Sequence, residues 1–190
     1  MSSEVRFEST RRRLNGQQAE TVDRLTSAAV EVLREKGAGG LAVRAVAARA
    51  GVAPATAYTY FSSKGHLIAE VFWRRLDGLV SRIPEGGSTV DRVVAVLRDV
   101  ALLIADEPEL SSAVTGALLG DDPDVSHLRV RIGLDIRRRL EEAMGADDDD
   151  EVITALEMVY AGALVRAGMG YGSYSDMADA IESAARLILR

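Results

Sequence analysis

Thr56, Tyr58, Thr59 and Tyr60 place four hydroxyls within five residues, and Lys64 follows four residues after the last of them. Phenol hydroxyls and an ammonium at a helix start donate hydrogen bonds to phosphate oxygens, which fixes position without reading sequence. A threonine can bond a base edge or touch a thymine methyl, and Arg44, ten residues upstream of Pro54, can take a guanine bidentately. The chemistry on offer is recognition of a polyanion rather than bond making.

Catalysis has little to work with. The 190 residues contain no cysteine and two histidines, His66 and His127, neither of them in a Glu-x-x-His or His-x-x-x-His pair. A glycine-rich phosphate loop and a nucleophile elbow are also missing, so no metal, cofactor or catalytic residue is expected. The net charge of −6 opposes DNA binding until it is divided along the chain. Residues 1–80 hold 12 Arg or Lys against 8 Asp or Glu, so the remainder holds 11 against 21. Only the first part can attract a polyanion. The opening residues are polar and charged, and no run is long and apolar enough for a bilayer, so a cytoplasmic protein at the nucleoid is expected.

Helical periodicity runs almost end to end, and an all-α fold is expected. The spacing of Val22, Leu25, Ala29 and Leu33 predicts a first helix over 17–36. Short helices over 43–50 and 54–60 flank Gly51, with proline at the start of the second. A longer helix, capped by Ser62 or Ser63, is predicted over 63–83, with Leu67, Val71, Leu76, Leu79 and Ile83 as its buried stripe. Five more are expected over 89–105, 109–119, 125–144, 151–171 and 176–190. Two short helices joined by a tight glycine turn, with a third packed across them, make a helix-turn-helix whose second helix can enter the major groove.

Residues 43–64, VRAVAARAGVAPATAYTYFSSK, after a first helix ending in Glu35-Lys36-Gly37, resemble the TetR family of bacterial transcriptional regulators. The resemblance implies an all-α homodimer with an N-terminal three-helix helix-turn-helix domain that binds operator DNA. A C-terminal helical domain would bind a ligand and dimerise. Carried over by position, Arg44 lies near the start of the positioning helix, and Pro54, Ala55, Thr56 and Thr59 lie on the groove-facing part of the recognition helix. Tyr58, Tyr60 and Lys64 match backbone-contacting positions. The sequence departs from the family pattern at Ala42 and Ala53, where a serine or threonine often caps, at His66, where an acid often completes a capping box, and at Ala57, which is small for its place. The domains expected are 1–62 for DNA and 63–190 for ligand and dimer, with 63–83 connecting them. Arg11, Arg12 and Arg13 read either as an arm reaching the duplex or as a solvated tail.

In the second domain, residues 107–119 resemble the steroid- and lipid-catabolism repressors that actinobacteria have in this family, which implies a small apolar effector. Leu97, Val100, Ile104, Val114, Leu118, Ile132, Ile136, Met158 and Tyr160 are candidates for its pocket, with Tyr160 and Arg166 as polar groups. The alternative for each is an ordinary core position. Ala161, Gly162, Ala163, Ala167, Gly168 and Gly170 on the penultimate helix, with Ile181, Ala184, Leu187 and Ile188 on the last, suggest an isologous four-helix contact. The small residues can instead face the effector. Arg137, Arg138 and Arg139 read as a solvated, internally paired surface beside Glu141 and Glu142. The acids from Asp147 to Glu151 read as a helix cap rather than a calcium loop. The function expected is an effector-released repressor on a pseudo-palindromic operator. The alternatives are a helix-turn-helix dimer without effector and a helical-bundle enzyme.

Overall fold

The computed structural model describes residues 16–82, 84, 86–147 and 149–190; Arg11, Arg12 and Arg13 lie outside them. Among the described residues are α1 (Gly16–Gly40), α2 (Val43–Arg49), α3 (Pro54–Tyr60), α4 (Lys64–Asp77), α5 (Thr89–Leu102), α6 (Pro108–Leu119), α7 (Ser126–Met144), α8 (Asp150–Gly168) and α9 (Tyr174–Ile188). They contain no strand, so the fold is all-α.

The α1 stripe of Val22, Leu25, Ala29 and Leu33 is fully buried against Val43, Val46 and Ala47 of α2 and against Phe61. Gly51 turns the chain between α2 and α3 at φ 63°, a left-handed conformation that a side chain would strain. Arg49 of α2 pairs with Glu31 and Glu35 of α1, which ties the short helix to the long one.

α4 is the axle of the molecule, with every residue from His66 to Trp73 buried. A helix apolar on one stripe only would leave half of these in water; this one is wrapped by α1, α6 and α7. Its N-terminus is capped by Ser63, whose hydroxyl accepts from the His66 amide at 2.9 Å. The acid missing at position 66 is supplied from far along the chain. Asp122 accepts from the Ser63 hydroxyl and Asp124 from the Ser62 hydroxyl, so two carboxylates sit where the helix dipole favours them. At the other end, Arg139 of α7 donates to the carbonyls of Leu76 and Leu79 at 2.6 and 2.8 Å.

That capping corrects two expectations. The helix stops at Asp77, because the guanidinium satisfies carbonyls that would otherwise continue the ladder; Ile83, expected in its buried stripe, lies outside the described residues. Arg139 is therefore buried, at 8% exposure, while Arg137 and Arg138 do form the surface pairs expected with Glu141 and Glu142.

α5 lies between α7 and α9 and buries Val93, Val94, Val96, Leu97, Val100 and Ala101. It stops at Leu102. Glu107 precedes Pro108 and lies outside the helical region at φ −125°, ψ 79°, since the proline ring disfavours helical backbone in its neighbour. Asp149 caps α8 through the amides of Glu151 and Val152, so the acidic run begins a helix as expected. Gly170, at φ 79°, closes α8 in a left-handed turn with the Tyr171 amide bonded to Arg166 O at 3.0 Å. Its role is to end a helix, not to offer a small face to a partner.

Candidate nucleic-acid interface and apolar cavity

α3 stands on two fully buried residues, Ala57 and Phe61, and presents everything else outward. Pro54, Ala55, Thr56, Tyr58 and Thr59 are exposed and Tyr60 is half-buried. The small Ala57 lets the helix sit close to α2, and neither Ala42 nor Ala53 makes a side-chain cap. Thr59 donates its hydroxyl to Ala55 O at 3.1 Å, which leaves its methyl and the remaining lone pairs of its oxygen facing outward. Arg44 and Lys64 are exposed and enter none of the ion pairs of the described residues. Arg49, equally basic and nearby, is spent on Glu31 and Glu35. The exposed surface thus combines hydroxyls, methyls and two free cations, the inventory for phosphate and groove contacts.

Behind α4 lies an apolar cavity of about 60 Å³. Val100, Ile104, Val114, Leu118, Ile132 and Tyr160 line it, as the sequence suggested for a pocket. Phe72, Ala101, Leu164, Tyr174 and Met177 complete the wall, so α4, α5, α6, α7, α8 and α9 all contribute. Four sequence candidates lie elsewhere. Leu97 and Ile136 are buried in the surrounding core. Met158 is 70% exposed on the outer face of α8, because a helix seated by Ile153, Leu156 and Tyr160 turns position 158 away. Arg166 is also exposed and lies 5.8 Å over the Tyr171 ring, beside a surface cleft between α8 and α9.

The hydroxyls at the cavity are not equivalent. Tyr174 donates to Ser111 O at 2.8 Å and pairs with Thr115, while Tyr160 has no hydrogen-bond partner among the described residues. Burial pushes the Tyr160 phenol well above its ordinary range, so it stays protonated.

The expected partner surface is also partly redrawn. Ala161 and Gly162 are exposed, and Leu187 is 59% exposed, whereas Ile181 is fully buried against the protomer's own core. Ala163 and Ala167 pack on that core, and a Cβ on Gly168 would collide with Thr115 of α6. Close approach at Gly168 is therefore internal. His66 and His127, distant in sequence, meet edge to face at 5.6 Å below Phe61. Among the described residues no group of three His, Cys, Asp or Glu could hold a metal, and no helix is long and apolar enough to cross a membrane.

Sequence reasoning missed Phe72, Ala101, Leu164, Tyr174 and Met177 in the cavity and the Ser62–Asp124 and Ser63–Asp122 bonds. Phe72 was legible as the residue one turn after Ile68; the serine–aspartate bonds span about 60 positions and carry no local signal.

The family model described as bacterial regulatory proteins, tetR family, matches residues 25–71, which span most of α1 through α4. An HTH-type transcriptional regulator of Mycobacterium tuberculosis is 48% identical over 184 residues, covering 92% of this chain and 83% of that protein. The HTH-type transcriptional repressor KstR of Rhodococcus jostii is 28% identical over 178 residues, covering 90% and 84%. Among solved structures, a TetR transcriptional regulator from Rhodococcus sp. RHA1 superposes with a TM-score of 0.74 at 29% identity, over 88% of this chain and 96% of that one. FadR of Thermus thermophilus, a TetR family repressor in complex with lauroyl-CoA, superposes at 0.69 and 21% identity, over 88% and 93%. The exposed α3, the free cations beside it and these likenesses converge: the chain belongs to the TetR family of bacterial transcriptional regulators and is a regulator, not an enzyme.

Proposed function

We propose that the chain is a homodimeric repressor that leaves a pseudo-palindromic operator when a small apolar effector occupies the cavity behind α4. Residues 1–62 would form the DNA-binding domain, and 63–190 the effector and dimer domain, working in the cytoplasm at the nucleoid. Arg44, Pro54, Ala55, Thr56, Tyr58, Thr59, Tyr60 and Lys64 are the DNA contacts of this reading. Two α3 helices would lie about one DNA turn apart, roughly 34–36 Å.

The observation that carries the proposal is that one helix belongs to both sites. α4 begins at Lys64, beside the exposed face of α3, and two turns later contributes Phe72 to the cavity wall. A ligand in the cavity cannot avoid α4, and any shift of that helix is delivered to its N-terminus. An effector acts only through its preference for one conformer, so the occupied cavity must favour the wrong spacing of the two heads. The cavity's apolar lining supports an apolar effector; that FadR of Thermus thermophilus holds lauroyl-CoA fits the same chemistry.

The dimer would form through the outward faces of α8 and α9, where Met158, Ala161, Gly162 and Leu187 stand exposed. A regulator without effector is the second reading, favoured by the cavity's size. About 60 Å³ is room for roughly two waters, whereas ligand sites run to ~300–1,000 Å³. Effector entry must therefore enlarge it. The deciding experiment selects genomic fragments bound by the purified protein, then measures their release by a panel of acyl thioesters, steroids and other apolar compounds. Release by one class supports the proposal, and retention against all of them supports the second reading.

A further inference from the structure

Ser62 and Ser63 separate the end of α3 at Phe61 from the start of α4, and both are held by the body of the molecule. Ser63 donates its hydroxyl to Asp122 and Ser62 donates to Asp124, on the turn between α6 and α7. Capping of α4 does not explain the first bond. An N-cap acts as an acceptor, and the Ser63 oxygen already accepts from the His66 amide at 2.9 Å. Its hydroxyl proton is left over, and Asp122 takes it in a charge-assisted bond between residues 59 positions apart. The turn that supplies Asp122 is itself fixed. The other Asp122 carboxylate oxygen accepts from the Asp124 amide at 2.9 Å, and the fully buried Val125 donates its amide to the Asp122 carbonyl at 3.1 Å. Arg129 of α7 clasps the same turn, donating to the carbonyls of Gly120 and Asp122 at 2.9 and 2.7 Å. There is little slack against α4, since a Cβ on Gly65 would stand 3.1 Å from the Asp122 carboxylate.

We propose that Asp122 is a positioning residue for operator recognition: by holding Ser63 it sets the angle between α3 and the body, and so the separation of the two recognition helices in the dimer. The inference rests on the homodimer and pseudo-palindrome of the reading above and adds the element that fixes their geometry. Charge argues that the contact has a use. Ser63 is followed by Lys64, and a carboxylate beside that ammonium repels the polyanion it would meet, so Asp122 weakens DNA binding unless it returns something in geometry. A head held at one angle fits one half-site spacing. Released from Asp122, it reaches several spacings and holds each more weakly. The turn is also placed to hear the cavity, because Leu118 lies two residues before Gly120 and Ile132 three residues after Arg129.

The test uses the operator selected from genomic fragments, made as duplexes of equal length with the natural half-site spacing or with one base pair added between the half-sites. Fluorescence anisotropy gives the affinity of the purified full chain for each. Their ratio is scored, because a change in protein charge acts on both duplexes alike and cancels. The wild type should prefer the natural spacing at least about tenfold, since one base pair moves a half-site by about 3.4 Å and turns it by about 36°. Asp122→Ala should bind the natural operator about three- to tenfold more weakly and lower the ratio below about threefold. Loss of an acid by itself predicts the opposite, tighter binding to every duplex. Ser63→Asp keeps an acceptor for the His66 amide but has no proton to donate, so it should lower the ratio as well. Adding Asp122→Asn to Ser63→Asp restores the bond with donor and acceptor exchanged, and should return the ratio to within about twofold of the wild type. Should Asp122→Ala fail to fold, the Ser63→Asp variant and its double partner decide alone. The inference is overturned if folded Asp122→Ala keeps the ratio or binds the natural operator as tightly as the wild type. It is equally overturned if Ser63→Asp keeps the ratio, or if the double variant does not recover what Ser63→Asp loses. A wild type indifferent to spacing would instead sink the dimeric operator reading itself.

Discussion

The face of α3 and the cavity behind α4 are built in opposite ways. The first is assembled from neighbours in sequence: residues 54–64 form one exposed surface on a buried alanine and phenylalanine. The second takes one or two side chains from each of six helices, between Phe72 and Met177. Their electrostatics also diverge. In the acidic body, Arg98, Arg137, Arg138 and Arg186 are each bound to two or more carboxylates, whereas Arg44 and Lys64 beside α3 have none among the described residues. The formal charge of a region therefore says less than the number of cations left unpaired, since only those release counterions when they meet phosphate.

The comparison breaks most severely if the two heads are uncoupled. A Cβ on Gly162 would meet nothing within 4 Å in its own protomer, so Gly162→Arg should fold normally. Sedimentation should then show monomers, and operator affinity should fall by at least about 100-fold as the second half-site loses its tethered partner. A dimer that persists would move the interface away from α8. Gly168→Ala is the counter-test, because its clash with Thr115 is internal and should lower stability while leaving dimers intact.

Next in size are the phosphate contacts. Lys64→Ala should weaken every operator sequence alike and flatten the plot of log affinity against log salt by about 0.9 per protomer. Tyr58→Phe should also weaken binding across sequences, by up to about tenfold, yet leave that slope unchanged because no charge is lost. Equal slopes for wild type and Lys64→Ala would remove Lys64 from the DNA.

How far each region was legible in the sequence follows from the same contrast. Thr56, Tyr58 and Thr59 could be placed on one surface because a seven-residue helix opened by Pro54 fixes their directions. The helices themselves were legible from apolar spacing, although the end of α4 was not: Arg139 caps it from 62 residues beyond Asp77, and its neighbours made it look like one more solvated cation. In the cavity, period alone cannot separate Ile132, which lines the void, from Ile136, which packs one turn away in the core. Met158 and Arg166 were misplaced because the rotation of α8 is set by what Leu156 and Tyr160 bury, a tertiary fact.

The cavity can be sharpened by filling it. At roughly 24 cal/mol per Å³, a void of 60 Å³ costs at most about 1.4 kcal/mol. Ala101→Val adds two methyl carbons from α5 into that space and should raise thermal stability by about 1 kcal/mol or less, while weakening any effector that needs the same volume. A lower melting temperature would mean the wall is already rigidly packed at Ala101.

The smallest effect expected is at Glu107, which joins the two regions directly. Its carboxylate accepts from Arg34 of α1 at 2.7 Å and from Arg75 of α4, three residues after Ile104 of the cavity wall. The Arg75 hydrogen bond, then Arg34, holds this carboxyl below the usual carboxylate range. A depressed folded value means that the pair stabilises above the unfolded value of about 4.3 and that the contribution disappears as pH falls through the folded value. Because Arg34 is 61% exposed, solvent screens much of it, and Glu107→Gln should cost only about 0.5–1 kcal/mol at neutral pH. The melting difference between wild type and variant should shrink towards zero below about pH 4. A difference that stays constant with pH would show that Glu107 acts by shape rather than charge, and the cavity wall would then reach the head through packing alone.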